Sequence, residues 1–251
     1  LLSVEKALIM LAEREAGTVQ MGRTHGQHAV PLTFGLAIAS YVSRLGHSIF
    51  AIQALSKELR GKFSGAVGAY NASSLFFDDP LTFEKEVLSE LGLEPSEAST
   101  QIVAPEPLLR LFTEITIALG VLANLADDMR HLQRTEIGEV GEMFLEKQVG
   151  SSTMPQKRNP ISFENVKSIW KIVVPRLVTL FSDQLSEHQR DLTNSASSRT
   201  YGETILYTTS AAKRLAKIMA NVKVDEKQIK RNFALGQGSI LAEPLYITLA
   251  A

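Results

Sequence analysis

The sequence predicts an all-α protein built as a bundle of long helices. Three observations carry that expectation. Apolar residues recur at helical spacing through most of the 251-residue chain. One segment, Pro107 to Thr135, keeps an apolar seam (Leu108, Phe112, Ile115, Leu119, Leu122, Ala126, Met129) at alternating steps of four and three, the pattern of a helix that packs along its whole length. Strand signals are short, with Thr18–Met21 and Gly65–Gly68 the best candidates.

The remaining elements follow in order. Leu1, Val4, Leu8 and Leu11 open an amphipathic helix at once, without a start methionine, and residues 245–251 are apolar and uncapped. Both ends therefore read as cut. Leu36 to Arg60 is rich in Ala, Leu, Ile and Ser, has one Gly and lacks Pro, which suits a long helix. Asp79-Pro80 starts a shorter helix over Leu81–Leu91, with a capping residue followed by Pro in the first turn. At ~1.5 Å per residue the Pro107–Thr135 rod is roughly 40 Å long, more than a small globule needs and suited to a bundle. Val166, Ile169, Trp170, Val173, Leu177, Leu180 and Phe181 continue a stripe to about Leu185, and Pro175 within it predicts a kink. Tyr201–Val222 and Asp225–Asn232 read as two further helices.

Composition narrows the function classes. Hydrophobic residues make up 45% and charged residues 21% of the chain, as in ordinary globular proteins. The net charge of −1 provides no general attraction for nucleic acid or membrane. The lack of cysteine excludes disulfides, thiolate metal sites and a Cys nucleophile, and it fits a reducing, cytoplasmic setting. No secretory signal is visible, and no apolar run is expected to span a bilayer.

Polar segments interrupt the helices. Gly150-Ser151-Ser152-Thr153-Met154-Pro155-Gln156-Lys157-Arg158-Asn159-Pro160 combines hydroxyls, two cations and an amide. It reads either as a surface loop or as a site for a multiply charged small anion, whose carboxylates such groups orient and neutralise. Met21-Gly22-Arg23-Thr24-His25-Gly26-Gln27-His28 places a histidine that titrates near neutrality among two glycines, and it reads otherwise as a turn. The His25/His28 spacing offers a metal pair, yet no Glu lies between them and no third ligand is evident. Ser99-Thr100-Gln101 either caps the following helix or binds ligand. Glu164 either answers the dipole of a helix starting near Pro160 or supports an imidazole such as His25. Glu187–Arg199 is again hydroxyl-rich, with Arg190 and Arg199 suited to a phosphate or carboxylate fork.

These segments, in this order, resemble the fumarase/aspartase superfamily. Gly150 to Asn159 is similar to its Gly-Ser-Ser-x-Met-Pro-x-Lys-x-Asn loop at every fixed position. Gly22–Ala29, Gly61-Lys62-Phe63-Ser64-Gly65-Ala66-Val67-Gly68, His131–Glu136 and Arg190–Thr193 look like the adenylosuccinate lyase branch. The 3-carboxy-cis,cis-muconate cycloisomerase branch stands second and argininosuccinate lyase third. The resemblance implies a central helical domain that forms a tetrameric core. Residues 1–20 would end a truncated N-terminal region, 21–240 form the catalytic bundle, and 241–251 begin a truncated C-terminal helical domain. Ser151 would be the catalytic base, His25 the general acid and Glu164 its support. Lys157 and Asn159 would meet the fumaryl carboxylates, Ser152 would also bind substrate, and Thr24, Gln101, Ser195 and Arg199 would hold the rest of the substrate, phosphate included. Each active site would draw on three chains of a homotetramer.

The implied reaction removes a proton beside a carboxylate and expels an amine or oxygen leaving group to leave fumarate. Fixed donors such as Lys157 and Asn159 stabilise the aci-carboxylate that develops. A serine acts as a base where positive charge supports its alkoxide and water is excluded. His25 protonates the leaving nitrogen. The scheme requires no metal or organic cofactor. One departure stands out: after Thr100-Gln101 the adenylosuccinate branch continues into Pro-Arg-Asp-Arg, whereas here Ile102-Val103-Ala104-Pro105-Glu106-Pro107 follows, without the arginine. Asn194 also stands where that branch often has His. Two other readings remain: a carboxymuconate cycloisomerase, and a helical assembly protein without catalysis.

Overall fold

The computed structural model describes residues 1–143, 154 and 157–250. The expected helices form. They are α1 (Leu2–Arg14), α2 (Phe34–Ser56), α3 (Pro80–Glu90), α4 (Glu106–Leu132), α5 (Ile161–Val173), α6 (Arg176–Ser182), α7 (Thr200–Met219), α8 (Glu226–Ala234) and α9 (Ala242–Ala250). The strands are short and paired: β1 (Val19–Thr24) antiparallel to β2 (Gln27–Thr33), β3 (Arg60–Gly61) parallel to β4 (Glu94–Pro95), and β5 (Val140–Gly141) antiparallel to β6 (Lys223–Val224). The chain divides into two compact units, one of Leu1–His47, Leu119–Trp170 and Thr209–Ala251, the other of Ser48–Ala118 and Lys171–Thr208.

Local chemistry sets the helix ends. Asp79 accepts hydrogen bonds from Leu81 N and Thr82 N, both at 3.1 Å, and Pro80 opens α3. Asp225 caps α8 through Gln228 N at 3.0 Å. Pro175 does more than bend the stripe after Pro160: it ends α5 at Val173 and lets α6 begin at Arg176, because it lacks an N–H and crowds the preceding turn.

In the first unit, Val4, Ala7, Leu8 and Leu11 of α1 are buried, as are Phe34, Ile38, Tyr41 and Leu45 of α2, each set on one helical face. Gly35 allows α2 to rest on the end of α1: a Cβ there would lie 2.4 Å from Ala12 O and 2.8 Å from Ala16 Cα. Gly120 of α4 likewise faces the Trp170 ring of α5. Lys167 on α5 donates to Asp127 on α4 at 2.6 Å, and Arg44 on α2 reaches Asn124 at 2.8 Å. In the second unit, Leu109, Phe112 and Leu180 form a buried cluster lined by Leu108, Leu177 and Tyr201.

Three expectations change. The Met21–His28 segment is most of a hairpin, not an isolated turn. Gly65–Gly68 is a turn, with φ of 82° and 80° at its end glycines, so it pairs with no strand among the described residues. The third concerns α4, which holds an 18-residue window of mean hydropathy 1.6, long and apolar enough by composition to cross a bilayer, where no such run was expected. Half of that window is buried inside the protein. The seam explains its apolarity: Phe112, Leu119, Leu122, Ala126 and Met129 are buried, and so are Ala118, Val121 and Leu125 beside them.

Gly35→Ala tests the α1–α2 approach. Alanine ordinarily gains about 1 kcal/mol over glycine inside a helix. Here the clash with backbone atoms reverses the sign, and urea denaturation is expected to show a net loss of about 2 kcal/mol.

Candidate functional site

The β1–β2 hairpin carries the motif residues Thr24 and His25. Thr24 pairs with Gln27, leaving His25-Gly26 as a two-residue turn. Both have positive φ, 54° and 74°, which the right-handed twist of a tight hairpin favours. Glycine accepts that conformation freely, whereas a side chain such as that of His25 pays roughly 1–2 kcal/mol. The register shifts between Met21 and Arg23. Gly22 sits at that irregularity, where a Cβ would lie 2.4 Å from Val30 O.

A buried carboxylate fixes the hairpin. Glu139, fully inaccessible, accepts Gln20 Nε2 at 2.7 Å, Arg23 Nη1 at 3.1 Å, Arg23 Nη2 at 2.6 Å and Asn232 Nδ2 at 2.8 Å. Its backbone is also used: Glu139 N donates to Leu132 O, and Asp225 N donates to Glu139 O, both at 2.9 Å. The hairpin, the end of α4, β5 and the start of α8 thus meet at one residue. Burial would raise the carboxyl's pKa. Hydrogen bonds from Arg23, Gln20 and Asn232, with the Arg23 charge, outweigh burial and hold it below the usual 4.5.

Glu142, three residues on, is buried at the start of α5. Its Oε1 accepts Ser162 N at 2.9 Å and Phe163 N at 2.8 Å, so it satisfies the free donors of that helix end. Burial, aided by the like charge of Glu164, raises its pKa against the pull of those donors. The helix-end duty that Glu164 could have served is therefore met by Glu142, and Glu164 stands exposed in the first turn of α5. Lys157 is exposed and Asn159 half-buried just before that helix. Beside the hairpin a cavity of ≈ 630 Å³ is bordered by Arg23, His28, Tyr41, Asp128, His131 and Arg134, among others.

In the second unit, three loops come together. Ser64 and Ser99 hydroxyls lie 2.8 Å apart, and Gly68, with φ of 80°, leaves room for Ser99 O, which a Cβ would meet at 2.0 Å. Gln101 N donates to Gln189 O at 3.1 Å. Within 183–201, Asp183 accepts Ser197 Oγ at 2.6 Å and Tyr201 OH at 2.7 Å, and Asn194 Nδ2 donates to Asp183 O at 2.6 Å. Asp191 is held below its ordinary pKa by the Thr193 hydroxyl and then by the Glu187 and Thr193 amides. Arg190 Nε is spent on Asp191 O at 2.8 Å.

The expected site residues divide between the units. Thr24, His25, Lys157, Asn159 and Glu164 belong to the first, and Gln101, Ser195 and Arg199 to the second. Ser151 and Ser152 lie outside the described residues. Among the described residues no hydrogen bond or ion pair joins His25 to Glu164. A sharper pattern emerges from pairing. The polar side-chain groups of Thr24, His25, Gln101, Lys157, Glu164, Ser195 and Arg199 are exposed, and none has a hydrogen-bond or salt-bridge partner among the described residues. Their neighbours Arg23, Glu139, Glu142, Asp183, Asn194 and Ser197 are committed to internal contacts. Sequence reasoning missed Gln20, Glu139, Glu142 and Asn232. Arg23, inside a motif already singled out, was the one visible clue.

A helical protein whose loops are braced from within while several cations, hydroxyls and an imidazole stay unpartnered among the described residues can be compared with known families. Residues 2–174 match the family model described as Lyase, and residues 186–251 match that described as Adenylosuccinate lyase C-terminal. The chain belongs to this lyase family, within the fumarase/aspartase superfamily. Adenylosuccinate lyase of Pyrococcus abyssi is 38% identical over 242 residues, covering 96% of this chain and 53% of that protein. The Pyrococcus horikoshii adenylosuccinate lyase is 37% identical, covering 97% and 54%. The crystal structure of 3-carboxy-cis,cis-muconate lactonizing enzyme from Pseudomonas putida superposes with a TM-score of 0.87 at 30% identity, over 99% of this chain and 55% of that one. The chain spans about half the length of the curated relatives it matches.

Glu139→Gln tests the hairpin anchor. Because the folded pKa is depressed, the carboxylate's contribution is complete above 4.5 and is lost as pH falls through the folded value. The variant leaves Arg23 without its charge partner, so it is expected to lose about 3–5 kcal/mol at neutral pH. It should also lose less further stability on acidification than the parent. Urea midpoints across the acid range check both, and an equally steep acid decline in the variant contradicts the assignment.

Proposed function

We propose that the protein is a lyase that eliminates fumarate from a succinyl-amine, with adenylosuccinate, yielding AMP, as the first candidate and the succinyl-carboxamide ribotide as the second. The single observation that carries this reading is the match of residues 186–251 to the adenylosuccinate lyase C-terminal model. That stretch contains Ser195 and Arg199, whose side chains are unpartnered among the described residues. The match of Gly150–Asn159 to the superfamily loop supports the elimination chemistry.

In this reading Ser151 removes the proton, Lys157 and Asn159 with Ser152 hold the carboxylates, and His25 protonates the leaving nitrogen with Glu164 in support. Thr24, Gln101, Ser195 and Arg199 hold the remainder. The assignment of Ser151 and Ser152 rests on the sequence signature alone. A homotetramer with sites shared between chains is supported by exposed apolar side chains on helices, among them Leu36 and Phe50 of α2 and Leu206 of α7. A cytoplasmic location is supported by the cysteine-free composition. A second reading, carboxymuconate cycloisomerase, is favoured by the Ile102–Pro107 stretch, which lacks the arginine of the adenylosuccinate branch.

A substrate panel separates the readings. The full-length protein is expected to release fumarate from adenylosuccinate. Lactone formation from carboxymuconate without fumarate release from any succinyl-amine supports the second reading instead. Ser151→Ala is expected to lower kcat by about 10²–10⁴-fold while leaving substrate binding in place, and full activity in that variant removes Ser151 as the base. His25→Ala should slow amine leaving groups most, and a uniform effect across leaving groups counts against His25 as the acid. Sedimentation checks the oligomer, and a monomer contradicts it.

A further inference from the structure

Lys62 belongs to the motif Gly61–Gly68, and none of the roles above uses it. A lysine beside a substrate loop invites the reading that it binds an anion. Its surroundings argue against that. Lys62 Nζ donates to Thr100 O at 2.9 Å, to Gln101 O at 3.2 Å, and to Gly65 O in a third, shorter contact. An ammonium has three N–H donors, and here all three are taken by carbonyls of the chain itself. No carboxylate is paired with it among the described residues.

What the three carbonyls share is position. Gly65 lies on one loop and Thr100 and Gln101 on another, and Lys62 draws the two together. The same loops touch again at the Ser64–Ser99 hydroxyl pair and at Gly68, whose missing Cβ admits Ser99 O. The Gln101 amide then fixes the third loop through Gln189 O. With its N–H bonded to Gln189 and its C=O held by Lys62, the Gln101 backbone is restrained on both sides. Its carboxamide has no partner among the described residues and is exposed.

We propose that Lys62 is a positioning residue for ligand binding: it does not touch substrate but orients the free Gln101 side chain by clamping the Thr100 and Gln101 carbonyls. This rests on the assignment of Gln101 to the substrate under the function proposed above. A point donor at this spot is essential, because three carbonyls converge on one nitrogen. The planar fork of an arginine spreads its donors and cannot meet them all.

The test is steady-state kinetics on the full-length protein with adenylosuccinate. Lys62→Ala is expected to raise KM by about 10-fold or more with kcat within about 3-fold of the parent, the signature of lost ground-state and transition-state binding alike. Lys62→Arg should restore little, and methylammonium added to Lys62→Ala should lower KM again. In Lys62→Ala/Gln101→Ala the KM should be no higher than in Gln101→Ala alone, because both changes remove one contact. An unchanged KM in Lys62→Ala with a lowered melting temperature overturns the proposal and leaves a plain loop staple. A KM that multiplies in the double variant overturns it too. If Gln101→Ala binds substrate like the parent, the assignment of Gln101 itself fails, separately from the role of Lys62.

Discussion

The bidentate pair between Arg23 and the buried Glu139 is the interaction on which the described first unit depends. A carboxylate taken fully out of water is costly unless its oxygens are filled by donors. Here four hydrogen bonds from Gln20, Arg23 and Asn232 fill them. The consequence is mechanical. Arg23 lies two residues before His25, so the charge pair holds the strand that leads into the strained turn. Positive φ at a histidine persists where the surroundings over-determine it. The antiparallel pairing on either side and the Glu139 anchor below supply that constraint. From Glu139 the chain runs through β5 to Glu142, whose carboxylate seals the N-terminus of α5. One short segment thus ties the histidine hairpin to the helix that presents Glu164.

A second principle separates the polar residues that hold the fold from those left without an internal partner among the described residues. Polar side chains in the loops sort into two groups. Glu84 accepts Tyr70 OH at 2.5 Å and also the Phe63 amide, and that hydrogen bond, with burial and the nearby charge behind it, pushes the Tyr70 phenol up to about 12. Asp183 gathers Ser197 and Tyr201. These groups are spent. The imidazole of His25, the ammonium of Lys157, the guanidinium of Arg199 and the amide of Gln101 are unspent among the described residues. Glu164, also unspent among the described residues, is the one acid among the expected site residues. The net charge of −1 therefore says little about the loops of either unit, because the balance that matters is local.

Much of this was legible in the sequence. The helices were, because burial on one face imposes a period that survives in the residue order: Val4, Leu8 and Leu11 on α1, and Phe112, Leu119, Leu122, Ala126 and Met129 on α4, were read as apolar stripes and are buried. Asp79-Pro80 marked a helix start through local chemistry alone. The hairpin was half-visible. Thr18–Met21 read as a strand, but Gly22, His25 and Gly26 broke the alternation, because the irregular register and the two-residue turn need residues that do not look like a strand. Gly65–Gly68 misled for the opposite reason: small residues suit a strand weakly, both end glycines take positive φ, and at Gly68 the chain passes close to a distant loop at Ser99. The Glu139 anchor was invisible, since its partners stand 116 and 93 residues away and nothing local distinguishes one glutamate from another. The motif residues were legible through the resemblance. Which of them stay unpartnered among the described residues and which, like Arg23 and Lys62, are tied to internal groups could be read from hydrogen bonds and not from residue type.

The central claim is that the hairpin braced by Glu139 presents His25 to a dicarboxylate. NMR titration of the His25 ring signals, assigned by comparison with His25→Gln and followed with and without saturating fumarate, tests it most directly. A nearby dianion favours the imidazolium, so the account predicts an upward shift of the His25 titration when fumarate binds. Fumarate that binds by calorimetry yet leaves the His25 signals and their titration unchanged would contradict it.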